Sequence, residues 1–149
     1  MLISIDTSIL IHAERGDKAA MAALEARSAF GQFVVSSVAL AEWLQGASAV
    51  KDAGKRIRAR RFYDLVLSRI AVQPFTAEDA IEFGRTCGEL RTKGVTVDFA
   101  DGLIACQALR LGVAVLTSNV SDFSRIPGLE ILHPNEKGPN VEGAKGQEG

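Results

Sequence analysis

Residues 98–119 read DFADGLIACQALRLGVAVLTSN, and they hold a complete helix-to-strand unit. Asp98 stands where an N-cap belongs, with Asp101 in the first turn. Apolar side chains recur at three- and four-residue spacings through Ile104, Ala108 and Leu111, and Gly112 offers the left-handed residue that ends such a helix. Val113 to Leu116 then run without a polar break, as a strand buried on both faces does. Thr117, Ser118 and Asn119 follow directly. A helix feeding a short apolar strand is the repeating piece of an α/β fold with a parallel sheet.

The same alternation extends outward in both directions. Leu2 to Ile5, Phe33 to Ser36, Ile70 to Gln73 and Leu129 to Leu132 read as further short strands, each bounded by Gly, Pro or polar residues. Residues 17–30, 37–48, 51–68 and 76–93 carry the helical period. Thr76 with Asp79 forms a capping-box pattern, and Gly94 follows a helical stretch as Gly112 does. Right-handed crossovers between such strands give a doubly wound sheet with helices on both faces.

The bulk numbers agree with one domain. The chain has 149 residues, 47% hydrophobic and 23% charged, enough for a core without disulfides or structural metals. Cys87 and Cys106 lie inside helical patterns and read as small core residues, which suits a reducing compartment. No window approaches the roughly 18 apolar residues of a membrane span, and the N-terminus lacks a basic leader region. The expected location is cytoplasmic. From His133 onward the composition turns to Pro, Gly, Asn, Lys and Glu, so the domain is expected over 1–134 and a disordered tail over 135–149.

The formal net charge is −1, which argues against coating nucleic acid through overall charge. Locally, however, residues 51–69 carry seven basic side chains (Lys51, Lys55, Arg56, Arg58, Arg60, Arg61, Arg69) against Asp52 and Asp64, leaving +5. Such a helix suits the backbone of an RNA. It equally suits a solvated face, or contact with a protein partner or a second copy.

In an open parallel sheet, ligands bind beyond the carboxyl ends of the strands. Asp6, Thr7 and Ser8 emerge from the first strand there, and Thr117, Ser118 and Asn119 from the fourth. Taken singly, each set also reads as helix capping. Glu42 sits in the apolar helix VALAEWL, where a carboxylate needs a partner unless it occupies a thin solvated stripe. Asp98 and Asp101 have a bland account as cap and first-turn acid. Together, Asp6, Glu42 and Asp101 make an all-oxygen donor set without His or Cys, which suits Mg²⁺ or Mn²⁺ and not zinc. A metal held there would activate water against a phosphodiester and stabilise the leaving oxygen. Among rival chemistries, the glycine-rich nucleotide loops, the zinc-protease helix motif and the nucleophile elbow are all missing from the sequence.

Four ordered segments then resemble the signature segments of PIN-domain nucleases: Asp6 to Ile11, Ser36 to Glu42, Asp101 to Ala105 and Leu116 to Phe123. Their order and spacing are similar to those of VapC toxins. The resemblance implies a PIN-like three-layer α/β/α fold with a central parallel sheet of four or five strands. It implies Mg²⁺-dependent cleavage of RNA as the toxin of a toxin-antitoxin pair, a cognate VapB-like antitoxin and a homodimer. Carried over, Asp6 and Asp101 are metal ligands and Glu42 completes the acidic cluster. Many PIN domains have a fourth acid where this chain has Asn119, so either Asn119 or Asp122 fills that corner. A weakly catalytic binding module, or a PIN nuclease outside a toxin-antitoxin pair, uses the same residues.

Overall fold

In a computed structural model, which describes residues 2–28 and 32–135, the five expected strands form one wholly parallel sheet. They are β1 (Leu2–Ile5), β2 (Gln32–Ser36), β3 (Ala71–Gln73), β4 (Ala114–Leu116) and β5 (Ile131–Leu132), in the order β3-β2-β1-β4-β5. Successive strands step outward from β1 to β3, and the chain then returns to place β4 on the other side of β1. That reversal makes the β1/β4 boundary the topological switch point, where a crevice opens beyond the strand ends. Ile3 pairs with Ala114 and Ile5 with Leu116, so Asp6 and Thr117 emerge side by side. The Asp6 amide continues the ladder with a 3.0 Å bond to the Leu116 carbonyl.

The helices are α1 (Thr7–Glu14), α2 (Lys18–Ser28), α3 (Ser37–Ser48), α4 (Ala53–Arg69), α5 (Ala77–Thr92), α6 (Phe99–Leu111) and a single turn α7 (Val120–Phe123). Two of these, α1 and α7, are additional to the helices expected from periodicity. Capping sets the other boundaries. Thr76 and Asp79 form the reciprocal capping box of α5, and Asp98 accepts the Asp101 amide at the start of α6. Gly112 ends α6 at φ 67°, and Val113 donates back to the Ala108 carbonyl at 3.0 Å, which withholds Val113 from the strand. Ile70 likewise donates to Val66 at the end of α4, so β3 begins one residue later than its apolar run. The tail expected over 135–149 lies, beyond Asn135, outside the described residues.

The core is built from both faces of the sheet, with Ile3, Ile5, Val35, Val115 and Leu116 all but fully buried beside Ile9, Leu10, Ile104 and Phe123. Trp43 of α3 anchors α4 through an edge-on contact with Phe62, ring centroids 5.5 Å apart. On the far side, the Asp79 carboxylate is completely buried and receives the Arg110 guanidinium, the Gln107 amide at 3.0 Å and the Thr76 amide at 2.8 Å. Burial pushes its carboxyl upward, but these donors outweigh burial and hold it below the ordinary value. This network fixes α5 against α6, the helix that carries Asp101.

Candidate active site

Asp6 is the first residue beyond β1, and the cap it makes explains half of its geometry. Its Oδ2 accepts the Ser8 amide at 3.4 Å as N-cap of α1, the Ser8 hydroxyl at 2.8 Å and the Thr117 hydroxyl at 2.8 Å. Its Oδ1 is buried and accepts nothing among the described residues. The residue as a whole is 2% exposed. An unpartnered carboxylate oxygen in that setting costs several kcal/mol unless a cation approaches it, by the order-of-magnitude penalty for burying charge. Capping therefore occupies Oδ2 and leaves Oδ1 without a partner among the described residues.

Thr117 and Ser8 form a small hydroxyl frame around Oδ2. Their oxygens lie 3.4 Å apart, Ser8 also accepts the Ser118 amide at 3.2 Å, and Thr117 accepts the Asn119 amide at 2.9 Å. Thr7, the next residue along, points to α3. Its hydroxyl donates to Glu42 Oε1 at 2.8 Å and lies 3.4 Å from the Ala39 carbonyl. Glu42 is half-buried, and burial raises its carboxyl above the ordinary value. The Thr7 hydrogen bond opposes that rise, while the charges of Asp6 and Asp98 add to it.

Asp101 completes the set from the first turn of α6. Its carboxyl is raised to about 7, first by burial and then by the negative charges of Asp6, Asp98, Glu42 and Asp122. Asn119 donates through Nδ2 to Asp101 Oδ2 at 3.3 Å and to Asp122 Oδ2 at 2.7 Å. The two candidates for the fourth corner thus act together, with Asn119 as the bridge between two acids. Asp122 also faces Arg125 at 3.8 Å. Gly102 lets α6 sit this close to α5, because a Cβ there would lie 2.8 Å from Phe83 Cε2 and 3.3 Å from Cys87 Sγ.

The sequence-predicted residues therefore converge, with Asp6, Glu42 and Asp101 close enough to perturb one another and Asn119 at their edge. Asp98 behaves as a cap that adds charge from the rim. Thr7, Ser8 and Thr117 fall outside the predicted site set, although hydroxyls directly after two adjacent strand ends were its visible trace. Among the described residues, no group of three or more His, Cys, Asp or Glu is already drawn in tightly enough to chelate an ion. The donor chemistry nevertheless fits a hard divalent cation: every donor is oxygen, one buried oxygen is orphaned, and the cluster carries excess negative charge. Cys87 and Cys106 lie away from this cluster, with sulfurs 3.9 Å apart, and burial raises both thiols, Cys106 to about 12.

Comparison with known proteins places this geometry in context. A family model described as the PIN domain matches residues 3–129. "Ribonuclease VapC1" of Rickettsia felis is 36% identical over 137 residues, covering 92% of this chain and 99% of the relative. "tRNA(fMet)-specific endonuclease VapC" of Salmonella typhimurium is 34% identical over 97 residues, 65% of this chain and 71% of the relative. Among solved structures, VapBC2 from Rickettsia felis bound to a DNA fragment from its promoter superposes with TM-score 0.80 at 28% identity, covering 89% of this chain and 98% of that one.

Proposed function

The chain belongs to the PIN-domain family, and on that premise we propose that it is a ribonuclease that hydrolyses RNA phosphodiester bonds as the toxin of a toxin-antitoxin pair. The observation that carries this reading is Asp6 Oδ1, a buried carboxylate oxygen without a hydrogen-bond partner among the described residues, on a side chain whose charge helps to raise Asp101. Its partners in this reading are an RNA substrate, a VapB-like antitoxin and a second copy of the chain. Among the described residues, no helix is long and apolar enough to cross a membrane, and a cytoplasmic site of action accords with an RNA substrate.

Asp6 and Asp101 would hold a divalent metal ion, Mg²⁺ or Mn²⁺ by donor chemistry. When bound, such an ion supplies Lewis-acid polarisation of the phosphodiester and makes an attacking water easier to deprotonate. Thr117 and Ser8 keep Asp6 Oδ2 occupied, so that Oδ1 alone is presented to the ligand. Thr7 fixes Glu42 through Oε1 and leaves Oε2 to accept the proton of the attacking water. The raised carboxyl of Glu42 makes it a stronger acceptor than an ordinary surface glutamate. Asn119 keeps Asp101 oriented without adding a further negative charge.

Induced expression in a bacterial host tests the biological half. Growth arrest is expected for the native chain, absent for Asp6→Asn, and relieved by co-expression of a cognate VapB-like antitoxin. Arrest by Asp6→Asn at the same protein level counts against this reading.

A further inference from the structure

Two of the elements that build the acidic cluster, α1 and α3, also line a groove about 390 Å³ in volume at its flank. Thr7 and Ser8 begin α1, and Ile11, Glu14 and Arg15 follow on the same side one and two turns later. Glu42 stands on α3, Gly46 follows it one turn later, and Val50 lies just beyond the end of that helix. From Ser8 to Arg15 is about 10 Å along the helix axis. The groove floor is apolar, with Ile11, Trp43 and Val50. Three cations, Arg15, Lys55 and Arg58, line the groove against one acid, Glu14, so its lining carries net positive charge.

The seven cations of residues 51–69 do not share one face. Arg60 pairs with Asp64 at 3.3 Å, lies over the Tyr63 ring and does not line the groove. Lys55 and Arg58 turn to the groove. Arg58 meets Glu14 through Nε at 3.4 Å and still has 57% of its side chain exposed, so its terminal NH₂ groups face outward. Among the described residues, neither Arg15 nor Lys55 has a carboxylate within 4 Å in an ion pair.

A carboxylate cluster repels a polyanion, so a strand presented to it must be held by positive charge nearby. We propose that this groove is a phosphate-binding subsite, in which Arg15, Lys55 and Arg58 grip the backbone of the RNA strand to one side of the bond presented to Asp6 and Asp101. The inference rests on the ribonuclease reading for the identity of the strand. The cations that line the groove, and the helices α1 and α3 that it shares with the acidic cluster, come from the structure alone. The apolar floor takes the sugar faces, and the three cations set the direction in which the strand leaves the site.

Fluorescence anisotropy with a labelled single-stranded RNA decamer, in EDTA so that no cleavage intervenes, reads the subsite directly. For Arg15→Glu/Lys55→Glu, the expected result is binding weaker by about tenfold or more. The salt dependence should also be shallower by about 1.4 in log–log slope, two phosphate contacts at about 0.7 each on a single strand. Arg91→Glu/Lys93→Glu, the same charge change at the end of α5, should bind as the native chain does. Equal losses in the two variants, an unchanged salt slope, or native binding by Arg15→Glu/Lys55→Glu each overturn the subsite. Because binding is measured apart from cleavage, a native chain that binds through this groove but cuts nothing refutes the ribonuclease reading and leaves the subsite standing.

Discussion

Replacing the Asp101 carboxylate by a neutral amide, in Asp101→Asn, should make the metal-free protein more stable at alkaline pH. Asp101 ionises at an ordinary value of 3.8 in a free chain and at about 7 here, through burial and four neighbouring carboxylates. The sign follows from linkage. Between those two values the unfolded chain has lost its proton and the folded chain keeps it, so stability falls as pH rises across that window, and above 7 the whole penalty is present. The gap of roughly three pH units corresponds to about 4 kcal/mol at most. Asp101 is partly exposed, and solvent screening removes half or more of that. Losing a negative charge from the first turn of α6 costs a further ~0.5 kcal/mol. A net gain of about 1–2 kcal/mol remains at pH 8, or roughly 3–6 °C in Tm for a domain of this size. The contact with Asn119 survives, since the introduced amide still offers an oxygen to its Nδ2. Thermal denaturation in EDTA from pH 4 to pH 8 measures the effect, with the advantage shrinking toward pH 4. Added Mg²⁺ or Mn²⁺ should stabilise the native chain and leave Asp101→Asn nearly unmoved. A variant no more stable than the native chain at pH 8, or an advantage independent of pH, refutes the reasoning.

Thr7→Val keeps the shape of Thr7 but removes the donor to Glu42, so the Glu42 carboxyl rises further and the acid limb of the cleavage pH profile moves to higher pH; an unmoved limb excludes Glu42 as the proton acceptor. Gly102→Ala gains helix propensity but drives a methyl to 2.8 Å from Phe83, and differential scanning calorimetry should show a net loss of about 1 kcal/mol. Arg110→Ala leaves the buried Asp79 carboxylate with neutral donors only and should cost about 2–3 kcal/mol in urea unfolding at pH 7. Because Asp79 is held below its ordinary value, that difference is present above the unfolded carboxylate range and should narrow as pH falls toward 3.

Much of the fold was legible because β1, β2 and β4 are short, largely apolar runs, and because Thr76, Asp98, Gly94 and Gly112 announce helix ends chemically. The helix α1 was hidden by its own composition. Ile9, Leu10 and Ile11 run on from the strand with only Asp6, Thr7 and Ser8 between, and an apolar run does not say where extended backbone turns helical. The single turn α7 is too short to show a period at all. At the site, Asp6 and Asp101 could be picked out because strand ends and helix starts are where an α/β sheet places ligands. The capping reading holds for Asp6, which caps α1 through Oδ2, and Asp101 lies in the first turn of α6 as expected. The pairing of Thr7 with Glu42, 35 positions apart, and the bridge from Asn119 to both Asp101 and Asp122, depend on how α3 and α6 pack across β1 and β4. No spacing within one segment encodes those distances.

Whether Asp6 serves metal-dependent RNA hydrolysis is decided by single-turnover cleavage of a defined single-stranded RNA, comparing the native chain with Asp6→Asn after EDTA treatment and then after addition of Mg²⁺ or Mn²⁺. No cleavage is expected in EDTA, with recovery on adding metal for the native chain and none for Asp6→Asn, its circular dichroism unchanged. Cleavage by Asp6→Asn at the native rate, or cleavage by the native chain that survives removal of metal, contradicts that role.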